Sequence, residues 1–229
     1  MATEKLAVKE FRCEGGSRKV AVLSALCGHL PMVEAYRAVK DFNDRNGTAL
    51  AVIRPGTVDA LTRDGHWQFF VDCNYFITDA LIAYEAPGKQ LGDTVAFAID
   101  GRRLVVPTGN AKGMKDVAIV AFNLSADSFA QEGRDTLVDI PADRLVVLER
   151  FPANTGWYHT ANPHSLPQGD QVKSLQDQDT MAIRYLWRSS DAFVGPLVRD
   201  IRVEGDCPGI IANIDGFHNF SVVVEVVGK

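Results

Sequence analysis

Between Pro31 and Asn46 apolar side chains recur at helical spacing, and after residue 56 that period gives way to a period of two. Met32, Val33, Tyr36, Val39 and Phe42 carry the helical repeat. Arg37 with Asp41, and Lys40 with Asp44, stand four apart as ion pairs on the other side. Pro31 suits a first helical turn, where its missing N–H costs nothing, and Asn46-Gly47 supplies a stop signal. Apolar runs flank the helix. Lys19–Leu26 (KVAVLSAL) precedes it, and Thr48–Ile53 (TALAVI) follows, ended by Pro55-Gly56. Residues 19–54 thus predict strand, helix, strand. Parallel pairing of the two strands makes a right-handed βαβ unit. A helix packed on an antiparallel sheet gives the same pattern.

Downstream, Trp67, Phe69 and Val71 alternate with Gln68, Phe70 and Asp72, a strand pattern entered from Asp64-Gly65. Thr78–Glu85 reads either as a short helix capped by Thr78 or as a strand. Val95–Ile99, Asp100-Gly101 and Leu104–Val106 spell a two-residue hairpin. Val117–Phe122 and Leu145–Phe151 are further strands, Met181–Arg188 and Leu197–Val203 alternate, and Ile210–Ile214, Asp215-Gly216 and Phe217–Val227 suggest a second hairpin. The expected fold is α+β and β-rich: one clear amphipathic helix (about 31–46) on a mainly antiparallel sheet or barrel-like β body, with an N-terminal βαβ unit as one option. No linker, repeat or charge run divides the chain. Residues 1–229 are therefore expected to form a single domain, with a β-α-β segment at 19–54 and a β-rich body at 57–229.

Composition bounds the function classes. Lys plus Arg number 24 against 29 Asp plus Glu, a net charge of −5, which argues against duplex nucleic acid as a partner. Hydrophobic residues at 46% and charged residues at 23% exclude a disordered chain. No apolar stretch approaches the ~20 residues that cross a bilayer, so no membrane partner is expected. Met1–Ser17 is polar and lacks a secretory pattern. Val20–Leu26 before Cys27 resembles a short lipid signal only superficially, because Leu26 is bulky where processing needs a small residue. Cys13, Cys27, Cys73 and Cys207 show no Cys-x-x-Cys spacing. A soluble, cytoplasmic protein with reduced thiols is the expectation.

Residues 153–180 stand apart as a long polar loop with little periodicity, and such loops in compact domains tend to carry function. Trp157, Tyr158 and His159 lie there with Asn162, His164, Asp170, Asp177 and Asp179. His159, His164 and Asp170 are the ligand types a divalent metal takes, although Pro163 forbids a helical pair of histidines. The same histidines with Asp177 and Asp179 are candidates for acid–base catalysis, and Trp157 and Tyr158 for ligand stacking. The plainer reading is a polar surface loop anchored by its aromatics. A second candidate pairs Cys27 with His29 in a turn before a helix, where a helix N-terminus would favour thiolate. Its plainer alternative is a buried thiol. A third gathers Arg184, Arg188, Arg199 and Arg202 near Tyr185 and Trp187 as a face for an anionic ligand or a single-stranded nucleic acid, against cross-strand pairing with Asp191, Asp200, Glu204 and Asp206.

Two function classes follow. The first is a non-catalytic binding or structural module that self-associates, since the apolar strand Ser221–Val227 (SVVVEVV) needs cover on both faces. The second is a hydrolase or lyase acting on a small polar molecule, its site in the 153–180 loop with or without a divalent metal as cofactor. A homo-oligomer and a small-molecule ligand are the expected partners.

Overall fold

A computed structural model describes residues 6–73, 75–148, 151, 156–159, 185–200, 209–211 and 216–228. The expected helix, α1, is preceded by a different arrangement from that predicted. Strand β1 (Lys9–Cys13) turns back into β2 (Gly16–Val22), and the apolar run then leaves the strand for a single helical turn over Ser24–Cys27. Helix α1 spans Met32–Asn46. Met32, Val33, Tyr36 and Val39 are buried as the spacing predicts, Ala35 joins them, and Phe42 is only partly buried. Its C-terminus is closed by Gly47 at φ +63°, a left-handed conformation that glycine enters without steric cost.

Strand β3 (Leu50–Val52) follows, and then a helix that the sequence reading missed, α2 (Pro55–Arg63). Pro55-Gly56 does not merely end the strand. Pro55 occupies the first helical turn, and Val58 and Leu61, three apart, are fully buried. The predicted strand around Trp67 is also corrected: Trp67–Cys73 is a 3-10 helix. Phe70 and Cys73 are both buried, at the three-residue spacing of that helix.

Strand β4 (Tyr75–Tyr84) resolves the ambiguity at Thr78 in favour of a strand. It runs through the middle of a sheet, with all residues after Tyr75 buried, which explains why its sequence does not alternate. The hairpin β5 (Thr94–Ile99) to β6 (Arg102–Pro107) stands as predicted. Asp100 and Gly101 both have positive φ, +49° and +74°, as a type I′ turn requires. The remaining strands are β7 (Ala118–Ala121), β8 (Phe129–Glu132), β9 (Asp135–Val138), β10 (Leu145–Leu148), β11 (Gly156–His159), β12 (Tyr185–Arg188), β13 (Phe193–Asp200), β14 (Gly209–Ile211) and β15 (Val223–Val226).

Three mostly antiparallel sheets result, in the orders β1-β2-β15-β3, β10-β7-β4-β13-β14-β12-β11 and β5-β6-β9-β8. The fold is α+β and strand-rich as expected, but among the described residues no sheet closes into a barrel. The βαβ expectation is corrected as well. β2 and β3 flank α1 in sequence but do not pair, because β15 lies between them, antiparallel to both. The second predicted hairpin fails for the same reason. β14 belongs to the seven-stranded sheet and β15 to the first. Gly216 lies between them, where an added Cβ would stand 2.4 Å from Leu104 Cδ1. Its role is close packing beneath α1, whose Met32 N–H bonds the Gly216 carbonyl at 3.1 Å.

Where β15 lies between β3 and the end of β2, the first sheet is covered on both faces. Val222 and Val224 join α1 in the main core, while Val20, Ile53 and Val223 pack with Val58 and Leu61 of α2 and with Phe70. Residues 221–225 thus find their cover inside the chain, while Val226 is exposed. Only Val8 and Val226 are large exposed apolar side chains among the described residues. Among these residues no helix is long and apolar enough to cross a membrane.

Candidate functional site

Two of the buried polar residues, Thr78 and Asp79, are neighbours on β4. Their backbones bond to three separate elements. The Tyr36 hydroxyl, from α1, donates to the Thr78 carbonyl at 2.7 Å. The Asp79 N–H donates to the Ile53 carbonyl at the end of β3, at 3.1 Å. Leu124 N–H, from the turn after β7, donates to the Asp79 carbonyl at 3.0 Å. The Thr78 hydroxyl reaches across to the Leu197 carbonyl of β13 at 2.7 Å.

Behind this junction lies a carboxyl pair. Glu225 of β15 is 3% exposed and accepts from Arg54 Nε and from the Thr57 hydroxyl, one at each oxygen. Arg54 precedes α2 and Thr57 stands in its first turn, so the carboxylate fastens that helix end to the sheet. Asp79 is 4% exposed, and its Oδ1 has no hydrogen-bond partner among the described residues. Burial pushes its carboxyl well above the usual carboxylate range, and the negative Glu225 adds to this. Arg54 and the backbone amides of Asp79 and Asn123 pull the other way. Burial, and then the charge of Asp79, likewise push the Tyr36 phenol up.

On the far side of the same junction a groove of about 210 Å³ opens between α1, β3 and residues 124–127. Tyr36, Leu50, Val52 and Leu124, all nearly buried, form its floor. The exposed side chains of Lys40, Asp44, Ser125 and Asp127 form its rim, with Lys40 paired to Asp127 across the mouth. That pairing, with Asp44 and Asp41 nearby, holds the Lys40 ammonium above its usual range. Asn43 shapes one wall. Its amide donates to the Leu50 carbonyl at 2.8 Å and accepts from the Leu50 N–H at 2.9 Å.

The residues singled out from sequence are distributed differently. The Cys27 thiol and the His29 imidazole take different hydrogen-bond partners. Cys27 ends a one-turn helix shortly before α1, and its thiol donates to the Leu23 carbonyl at 3.4 Å. Desolvation pushes that thiol up, against the expectation of a favoured thiolate. His29 instead meets the Ser221 hydroxyl at 2.9 Å and stitches the turn before α1 to the segment entering β15. Trp157, Tyr158 and His159 lie on β11 and not in a loop, in register with Trp187, Leu186 and Tyr185 of β12. Arg188 lies on β12, opposite Gly156, and Arg199 on β13. Asn162, His164, Asp170, Asp177, Asp179, Arg184 and Arg202 lie outside the described residues. The hydrolase or lyase reading therefore gains no observation. Among the described residues no cluster of three or more His, Cys, Asp or Glu side chains is arranged to hold a metal ion.

The sequence reading missed Asp79, Glu225 and the α1–β3 groove. The signal was present: each carboxylate is a lone charge inside an otherwise apolar strand, ITDALIAY and VVVEVV. No known protein-family model, curated protein or solved structure matches the chain.

Proposed function

We propose that the protein is a non-catalytic binding module, and that its ligand is a small molecule with an apolar body and a positively charged end, seated in the α1–β3 groove. The observation that carries this reading is the groove's construction. A nearly buried apolar floor is ringed by exposed charged groups, the arrangement that binds through desolvation and orients through a few polar contacts. Its volume, about 210 Å³, suits a ligand smaller than the drug-sized molecules that fill sites of roughly 300–1,000 Å³. At this rim the carboxylates of Asp44 and Asp127 outnumber the ammonium of Lys40, so a ligand cation complements the local charge and competes with Lys40 for Asp127.

Protein-observed NMR with a library of small amines, neutral molecules and acids tests this. Amines with an apolar body are expected to shift the amides of Val52, Leu124 and Ser125 selectively. Asp44→Trp, a substitution on the exposed face of α1 that fills the mouth, is expected to abolish those shifts. Selective binding of acids, or binding that survives Asp44→Trp unchanged, refutes the proposal.

A further inference from the structure

We infer that Asp79 is a proton-operated latch on this groove: with its proton in place the Thr78–Asp79 junction holds the three walls together, and ionisation of the side chain loosens them. The regulatory use of the latch rests on the groove being the ligand seat; the latch itself does not.

The geometry supplies the coupling. The walls of the groove are α1, β3 and the turn after β7, and each is tied to the same dipeptide by one hydrogen bond: Tyr36 to Thr78, Asp79 to Ile53, and Leu124 to Asp79. The Asp79 side chain hangs beneath these bonds in a site that already holds one carboxylate and one guanidinium. Both oxygens of Glu225 are engaged, by Arg54 and Thr57. The groups that bear on Asp79 are Glu225 from β15, Arg54 at the head of α2, Tyr36 from α1, and the backbone amides of Asp79 and Asn123. The Tyr36 hydroxyl is committed to the Thr78 carbonyl. Among the described residues, ionised Asp79 would thus share a single arginine with Glu225, with one of its own oxygens unpartnered. Burial and Glu225 together oppose that state. A buried charge of this kind is relieved by admitting water, and water reaches the carboxyl when the hydrogen bonds that close the junction give way.

The sign follows from linkage. An aspartate that holds its proton more tightly when buried than when exposed favours the closed junction at low pH. The preference is lost progressively as pH rises from the ordinary aspartate value, about 4, to the raised value of the closed state. Across that window one proton is released on opening. The amide protection of Leu124 and Asp79, corrected for intrinsic exchange, is therefore expected to fall about tenfold per pH unit.

The experiment uses the ligand-free protein. The Asp79 carboxyl carbon is followed by NMR against pH, and hydrogen exchange is read at Leu124, Asp79 and Ile82, the last in the body of β4. The expected result is a titration midpoint above the carboxylate range, with Leu124 exchanging at least about tenfold ahead of Ile82 as pH rises. Asp79→Asn is expected to remove the pH dependence, and Glu225→Gln, which deletes the neighbouring charge, to lower the Asp79 midpoint. An ordinary midpoint overturns the inference. So does exchange at Leu124 and Ile82 that moves together, which would mark global unfolding and not a latch. Because no ligand is present, the latch can stand where the binding proposal fails, and the reverse.

Discussion

Asn43→Ala isolates the device that sets the outer wall of the groove. β3 is the edge strand of the first sheet. Val227 N–H bonds the Ala49 carbonyl and Ile53 N–H bonds the Val223 carbonyl, so the odd residues of this segment face β15. In an antiparallel ladder the alternate residue, Leu50, then turns its N–H and C=O to the open edge. The Asn43 carboxamide meets both, at 2.9 and 2.8 Å, and stands where a further strand would pair. Its oxygen also accepts from the exposed Thr48 hydroxyl at 2.8 Å. Each amide hydrogen bond contributes about 0.5–1.5 kcal/mol net, and Leu50 is only 7% exposed, so its orphaned groups recover little from water. Truncation is expected to cost about 2 kcal/mol, which for a chain of this length lowers the thermal midpoint by roughly 4–8 °C. Thermal and urea denaturation measure it. Thr48→Ala, which removes only the exposed bond, is expected to cost less than about 0.5 kcal/mol. Asn43→Asp keeps the acceptor for Leu50 N–H but sets a carboxylate against the Leu50 carbonyl, and is expected to recover at most half of the loss. If Asn43→Ala costs no more than Thr48→Ala, the edge-capping argument is wrong.

Two further substitutions probe the positions where sequence and structure diverge. Gly216→Ala places a methyl 2.4 Å from Leu104 Cδ1 and is expected to destabilise by about 1–3 kcal/mol, as overpacking does, with Leu104→Val restoring part of the loss in a double-mutant denaturation cycle. Cys27, its thiol pushed up by desolvation, is expected to alkylate more slowly than an unstructured cysteine at neutral pH, with a pH–rate profile whose midpoint lies above the ordinary thiol value. A midpoint below that value would restore the thiolate reading.

The legible parts of the fold were those whose signal is local. Helix α1 is written in a single amphipathic stripe with its glycine stop, and the β5–β6 hairpin in a dipeptide that alone supplies two positive φ angles. The misreadings share one cause. Where a segment is buried on both faces, or packs through one or two turns, periodicity loses its meaning. β4 has no polar face to mark it, α2 packs Val58, Ala60 and Leu61 within barely two turns, and the residues after Trp67 bury at a spacing of three within an apparent alternation. The pairing of β15 with β2 and β3 was out of reach of any window, because the partners are separated by most of the chain. The groove was equally invisible. Its floor reads as ordinary core and its rim as ordinary helix surface, and only the fold brings residues 36–52 against 124–127.

That long-range closure also accounts for the buried charges. Glu225 bonds Arg54 and Thr57 across 171 and 168 residues, from the last strand of the chain to the head of α2. A hydrophobic trio of equal volume would hold these elements together about as well, since desolvation cancels much of what a buried ion pair gains. What apolar packing would not supply is position. β15 enters between β2 and β3 as a run of valines, and valines alone would tolerate a shift along the ladder by two residues with the same faces buried. A single carboxylate in that run, met by a guanidinium and a hydroxyl that sit at the start of one helix, removes the degeneracy: a two-residue slip would strand Glu225 away from both partners in an apolar layer. The register fixed in this way places Ala51 opposite Glu225, and hence the outward-facing Leu50 opposite Asn43 and Ile53 beneath Asp79. The lone charge that interrupts the last strand therefore aligns the wall of the groove some 170 residues upstream.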